Sequence, residues 1–389
     1  MHLFLAILFG LSSYFNIKVF LSLLDTKRSW LQANISNQEF AQKYSKTLVD
    51  VYIGCSFAPE MWSKEEIREG KALAGLKVVV EQLGIKDIRL GIRWSEVFID
   101  EKIDLSFYKP FLKYCFKNKV NICLNLGPIK TFRWPEEHIP QQILDKLNSR
   151  IKRYSKVDLN SEITTYAYEY LEQLIDKLKA EFTENELENI NIIQLENEGF
   201  NRMGTFKLRM SSTYFKKIIL KANKSFPNSK ILVNSPGRFN LKAIIRLFTA
   251  LKKTYPHLTG KLLIGYDYYY RTEFRDRFIL TKLLDSLSFS LPWNISITKL
   301  LSLSNKHNFQ TEITEAQFEP WGKYLGPGNS SKDFKFMLLR CIKILNLDLN
   351  DQNIIRLWGI ENFVKKIQNG EITGEHEGMM ELIKEINLS

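Results

Sequence analysis

Cysteine is scarce in this chain: four among 389 residues, with no Cys-x-x-Cys pair. That excludes a disulfide-built scaffold. Cys55 and Cys123 stand in apolar runs, where a buried thiol is expected, and Cys115 and Cys341 fall in helix-like segments. The five histidines (His2, His138, His257, His307, His376) are scattered without metal-ligand spacing, so no metal is indicated. There is no Gly-x-Ser-x-Gly elbow and no Gly-x-x-x-x-Gly-Lys-Ser/Thr phosphate loop, and Gly326-Pro327-Gly328 reads as a turn. A serine hydrolase of the elbow type and a nucleotide cofactor therefore find no support.

What is present is ordinary for a folded protein: 44% hydrophobic and 25% charged residues, which excludes a disordered chain. The net charge of +12 invites a test for an anionic partner. The basic stretch Lys146 to Lys156, with Arg150, Lys152 and Arg153, has no repeating aromatic pattern around it, so a solvated helix face is the better reading and nucleic acid is not expected. Near the N-terminus, Leu3 to Leu24 is largely apolar but broken by Ser12, Ser13, Asn16, Lys18 and Ser22. Residues 1–28 read either as a signal peptide or membrane anchor, giving a secreted or membrane-anchored protein, or as an amphipathic helix on a cytoplasmic one. Residues 29–48 form a lead-in, and 49–389 carry the folded domain.

From residue 49 onward short apolar runs alternate with stretches of helical period. Strands are expected at Val51–Ser56, Asp87–Trp94, Val120–Leu126, Ile190–Leu195, Lys230–Asn234, Leu262–Tyr268, Asn308–Thr314 and Ile354–Trp358. Helices are expected at Lys64–Leu83, Phe107–Asn118, Thr164–Phe182, Thr213–Ser225, Leu241–Thr254, Phe334–Leu345 and Asn362–Gln368, with an insertion from Arg271 to Trp293 before a further segment at Ile297–Asn305. Eight βα units argue for an α/β fold with a parallel sheet. Closing it as a (β/α)8 TIM barrel is the economical solution, with a doubly wound sheet as the alternative.

Barrel chemistry belongs at the C-terminal ends of the strands. The fourth expected strand ends Gln194-Leu195-Glu196-Asn197-Glu198-Gly199, and the seventh ends Glu312-Ile313-Thr314-Glu315-Ala316-Gln317. Strands four and seven face each other across a barrel. Glu198 and Glu315 could therefore lie about 5–5.5 Å apart, the spacing for double displacement at a sugar carbon.

These residues resemble the clan-A glycoside hydrolases, a superfamily of retaining (β/α)8 enzymes that includes cellulase-like and β-galactosidase-like members. The run Ile192-Ile193-Gln194-Leu195-Glu196-Asn197-Glu198 is particularly similar to the β-galactosidase-like branch. The resemblance covers roughly residues 50–365 and is specific at strands four, seven and eight. It implies that Glu198 is the acid/base and Glu315 the nucleophile. It implies that Arg89, with Arg93 in reserve, holds the nucleophile, and that Tyr266 or Tyr268 is the aromatic at the end of strand six; the Tyr268-Tyr269-Tyr270 run could line a subsite, with at least one of the three packing inward. Trp358 would floor the sugar subsite. Many members carry a histidine after strand three, where this chain has Asn125-Leu126-Gly127-Pro128; His138 lies further along that loop.

On chemical grounds Asn197 would hydrogen-bond a sugar 2-hydroxyl, and Trp62, Trp134 and Trp321 are further stacking platforms, Trp134 being placed with the substrate-binding set. Glu60, Glu312 and Glu319 are candidate substrate contacts, with an unpaired surface role as the plainer reading, and His376 reads as part of a solvated tail. The expected partner is a β-linked carbohydrate, with no cofactor. Two functions follow: a retaining β-glycosidase, or a barrel that binds glycan without cleaving it.

Overall fold

The computed structural model describes residues 28–29, 31–48, 51–147, 150–236, 238–269, 307–320, 326–345 and 353–388. The apolar segment Leu3–Leu24, Tyr270, the stretch from Arg271 to Trp293, the segment Ile297–Asn305 and Trp321 lie outside them. Among the described residues no helix is long and apolar enough to cross a membrane.

Eight strands form one closed parallel barrel: β1 (Val51–Ser56), β2 (Asp87–Gly91), β3 (Asn121–Asn125), β4 (Ile192–Gln194), β5 (Lys230–Ser235), β6 (Leu262–Tyr268), β7 (Gln310–Gln317) and β8 (Asn353–Trp358). Neighbours follow chain order, and β8 closes on β1 through the register Val51 to Asn353. All eight expected strands are present. The expected helix Lys64–Leu83 is three pieces, Lys64–Arg68, Lys71–Lys77 and a π turn at Val78–Gln82. Gly70 causes the first break: it adopts φ +78°, a left-handed conformation that glycine reaches without strain.

Strand alternation sorts the side chains into two populations. Outward-facing Ile53, Ile88, Leu124, Ile193, Val233, Ile264, Ile313 and Ile355 are buried in the main apolar core. Inward-facing residues are stacked in layers. At the base, Cys123, Ile192, Leu232 and Leu263 form a separate small apolar cluster. The other half of that base is ionic, with buried Arg356 bonding to Asp87 (2.7 Å) and to Glu312. Above it lies a polar layer containing Ser56, Arg89, Gln194, Asn234, Asp267 and Glu315, all at most 1% exposed.

One irregularity shapes that polar layer. β6 and β7 pair Tyr266 with Ile313 but Asp267 with Glu315, so Thr314 is an extra residue. The pairing with β8 slips over the same stretch, between Ile313 and Ala316. This β-bulge lets both Thr314 and Glu315 face inward. Gly265 accommodates it, because a Cβ there would stand 2.0 Å from Thr314 Oγ1.

Two terminal helices belong to the body of the protein. Asn37–Leu48 places Phe40 at 0% exposure in the core and meets the helix Gly374–Leu388. Ser331 donates to Asn37 across this junction (2.5 Å), and Asn387 both accepts from and donates to the backbone of Ile53. His376 is therefore not in a solvated tail: it is 6% exposed, accepts from the Thr373 N–H at the start of its helix, and packs on Phe363. Phe40→Ala should lower stability by about 3–5 kcal/mol in denaturant titrations, as for a core aromatic. Leu31→Ala, at a position 61% exposed, should change it by less than about 0.5 kcal/mol.

Candidate active site

The site is built around Arg89, which β2 projects into the barrel. Its Nη1 donates to Glu315 (2.6 Å) and Ser56 (3.1 Å), its Nη2 to Asn197 (2.6 Å), and its Nε to Gln194 (2.6 Å). One guanidinium thus joins residues from β1, β2, β4, β7 and the turn after β4. Phe132 caps its face at 4.3 Å. Arg93, the reserve candidate, is elsewhere: it pairs with Glu60 at 3.5 Å, and Tyr108 bonds to the same carboxylate.

After Gln194 the chain turns sharply, and Glu196 and Glu198 take φ of 54° and 46°. Left-handed backbone at non-glycine residues persists only where the surroundings fix it. Here Glu196 turns away from the site, accepting from the backbone N–H groups of Ile129 (3.2 Å) and Lys130 (2.5 Å) and from the Tyr214 hydroxyl. Asn234, at the end of β5, accepts from the Glu198 N–H at 3.0 Å and donates to Asn197 at 3.0 Å. The turn is held from both sides, and Glu198 is left pointing into the barrel mouth at 0% exposure.

The two proposed catalytic carboxylates meet at one atom. The hydroxyl of Tyr269 lies 3.0 Å from Glu198 Oε1 and 2.7 Å from Glu315 Oε2. Those two oxygens are therefore at most about 5.7 Å apart. A phenol has one proton, so it cannot donate to both. Donating to Glu315 and accepting from a protonated Glu198 satisfies all three groups. Burial, and then the charge of Glu315, push the Glu198 carboxyl from its ordinary 4.5 up to about 7. Asn201 Nδ2 donates to its other oxygen at 2.7 Å.

Tyr266 and Tyr268, the aromatics proposed from the sequence, are corrected by this geometry. Both face outward into the main apolar core, because β6 turns positions 264, 266 and 268 to the helices. Tyr269 reaches the site instead. Large side chains at 264, 266 and 268, against Gly265 and Asp267 between them, already carried that phase.

Two further carboxylates surround the pair. Asp267, 1% exposed, accepts from Asn234 Nδ2 at 3.0 and 2.9 Å. Glu136, on the loop after β3, accepts from Asn197 Nδ2 at 3.3 Å. Burial, followed by the charges of Glu198 and Glu315, holds both well above the usual carboxylate range. Neither was singled out in the sequence, since each acts through a position set only by folding.

Trp358 lies beside the bridging tyrosine, their rings 6.2 Å apart and edge to face. The Arg133 guanidinium lies 4.4 Å above the Trp358 ring and pairs with Glu319 (2.8 Å) and Glu361, so one face of the indole is covered. Glu60, Glu312 and Glu319 are thus not unpaired surface groups: each is bound to an arginine, and Glu312 and Glu319 are buried. Trp134 is 72% exposed at the tip of the same loop, whereas Trp62 is core, its ring tilted 34° against Phe57. Asn125 caps its own loop, accepting from the Gly127 N–H at 2.9 Å. Burial, followed by the charge of Arg93, pushes His138 down to about 3, so it is neutral in ordinary conditions.

No protein-family model matches the chain, and no curated protein matches it. Solved structures do. The catalytic domain of β-amylase from Paenibacillus polymyxa aligns with a TM-score of 0.51 and 12% identity, covering 86% of this chain and 98% of that one. The exo-β-1,4-mannosidase Op5Man5 from Opitutaceae bacterium strain TAV5 aligns at 0.54 and 12% identity, over 87% of this chain and 60% of that one. The likeness is one of fold.

A carboxyl whose folded value exceeds its unfolded one favours the folded state below the unfolded value. That advantage is lost as pH rises from about 4.5 to about 7. Glu198→Gln, which keeps the shape without the charge, should therefore be more stable than the parent at pH 8 by about 1–3 kcal/mol. The difference should vanish below pH 4.5, as thermal unfolding across pH would read.

Proposed function

We propose that the protein is a retaining glycoside hydrolase that cleaves β-linked oligo- or polysaccharides, with Glu315 as nucleophile and Glu198 as acid/base. The observation that carries this reading is the shared Tyr269 hydroxyl. It limits the facing carboxylate oxygens to about 5.7 Å, which suits double displacement and falls short of the roughly 6.5–9.5 Å that a water-inserting, inverting pair requires.

In the first step Glu315 attacks the anomeric carbon while Glu198 gives its proton to the departing glycosidic oxygen. Arg89 supplies a fixed counter-charge at Glu315, and Asn197, locked by Arg89 and Asn234, addresses the substituent at C2. Forming the glycosyl ester removes the Glu315 charge, one of the two causes holding Glu198 high. Glu198 then becomes the stronger acid, and its carboxylate takes a proton from the water that attacks the same carbon. The bond to Glu315 breaks and the configuration is retained. Trp358, beside Tyr269, floors the sugar subsite, and Trp134 serves as an outer platform for a longer glycan.

Glu315→Ala should lower kcat on aryl β-glycosides by at least about a thousandfold, and azide should restore product of inverted configuration. The parent should give a product of unchanged anomeric configuration by NMR. Well-folded protein that binds glycans yet cleaves none would favour the non-catalytic barrel instead. Because the acid must hold its proton, kcat/KM should fall above about pH 7, and Glu198→Gln should lose that limb together with its activity.

A further inference from the structure

The charge inventory of the site is unbalanced in a particular place. Among the described residues, Arg89 commits its guanidinium to Ser56, Gln194, Asn197 and Glu315. Lys130 spends its ammonium on the carbonyls of Asn201 (2.9 Å) and Met203 (3.0 Å), with Glu137 at 4.0 Å. Its field reaches Glu136 but makes no bond to it. Glu136 is only 8% exposed; one oxygen takes the long contact from Asn197, and the other has no hydrogen-bond partner among the described residues. Asp267 has a single donor among the described residues, the Asn234 amide, shared between its two oxygens. Among the described residues, two buried carboxyl groups thus stand beside the proposed catalytic pair without an ion-pair partner of their own. Among the described residues no group of three or more His, Cys, Asp or Glu is placed to hold a metal ion.

Position decides what would balance them. Under the glycosidase reading, on which this step rests, the anomeric carbon sits between Glu198 and Glu315 and Asn197 addresses C2. Under that reading the Glu136 carboxyl, which meets the Asn197 amide at 3.3 Å, stands beside the C2 substituent. We propose that the sugar bound here is a 2-amino-2-deoxy sugar, its ammonium held by Glu136 with Asp267 adding negative field. A cation at C2 opposes the positive charge that develops at C1 in the transition state. A carboxyl that ionises against that ammonium offsets the penalty, which gives a role at this point to Glu136, held well above the usual carboxylate range by burial and its acidic neighbours while no cation is bound.

The test compares 4-nitrophenyl 2-amino-2-deoxy-β-glycosides with the corresponding 2-hydroxy glycosides in the gluco, galacto and manno series, using the full chain. The amino member of at least one series should be preferred by at least about tenfold in kcat/KM, as expected of a buried charge-assisted contact. Glu136→Gln, which keeps an acceptor for Asn197, should bring that ratio towards one. Asp267→Asn should lower it as well, and it serves should the Glu136 variant fold poorly. Equal or better hydrolysis of the 2-hydroxy glycosides by the parent overturns the proposal while leaving the glycosidase reading intact. If neither class is cleaved, calorimetry with glucosamine, galactosamine and mannosamine against their neutral parents decides. Selective binding of an amino sugar that Glu136→Gln abolishes upholds the proposal and sinks the glycosidase; no selectivity overturns it.

Discussion

Everything polar in the mouth of this barrel depends on a guanidinium that water does not reach. Arg89 is 0% exposed, and a buried cation is costly unless it is paired and hydrogen-bonded. It meets that demand by bonding side chains from three other strands and from the turn after β4. The same bonds fix where Glu315 and Asn197 stand. Placement of the candidate catalytic groups and solvation of the arginine are thus one problem with one solution. Removing any single partner would leave charge or donors stranded in the barrel, so the layer behaves as a unit.

A second set of contacts ties the long loop after β3 to the rest of the mouth. Glu196 holds its backbone at Ile129 and Lys130, and Glu137 holds the backbone at Phe206 and Leu208. Arg133 reaches across to Glu319 and Glu361 beyond β7 and β8. That bracing explains how an irregular segment keeps Glu136 in place beside Asn197. Loops that carry function are ordinarily the mobile parts of a fold; this one is fastened at several points by buried polar bonds.

The framework was legible in the sequence because helices and strands announce themselves by period, and eight alternations leave few topologies. Glu198, Asn197 and Glu315 stood out because each lies at a strand end, and Arg89 through the family resemblance; the fold brings all four together. What escaped has specific causes. Gly70 splits a helix whose apolar period runs on undisturbed. The phase of β6 was misjudged at Tyr266 and Tyr268, although the small and polar residues between them recorded it. Glu60, Glu312 and Glu319 seemed free because their arginines are distant in sequence and adjacent only in the barrel. Glu136 and Asp267 lack any local pattern, since what makes them notable is the company they keep.

The bulge in β7 carries one more consequence. A regular strand can offer a barrel interior only every second residue, so its functional density is capped at one side chain per two positions. By inserting Thr314, β7 presents two successive side chains inward and then resumes its alternation with Ala316 out and Gln317 in. The half of the strand at the base and the half at the mouth are consequently in opposite phase. Each can keep its own inward set, Glu312 bound to Arg356 below and Glu315 bound to Arg89 above, without either dictating the other.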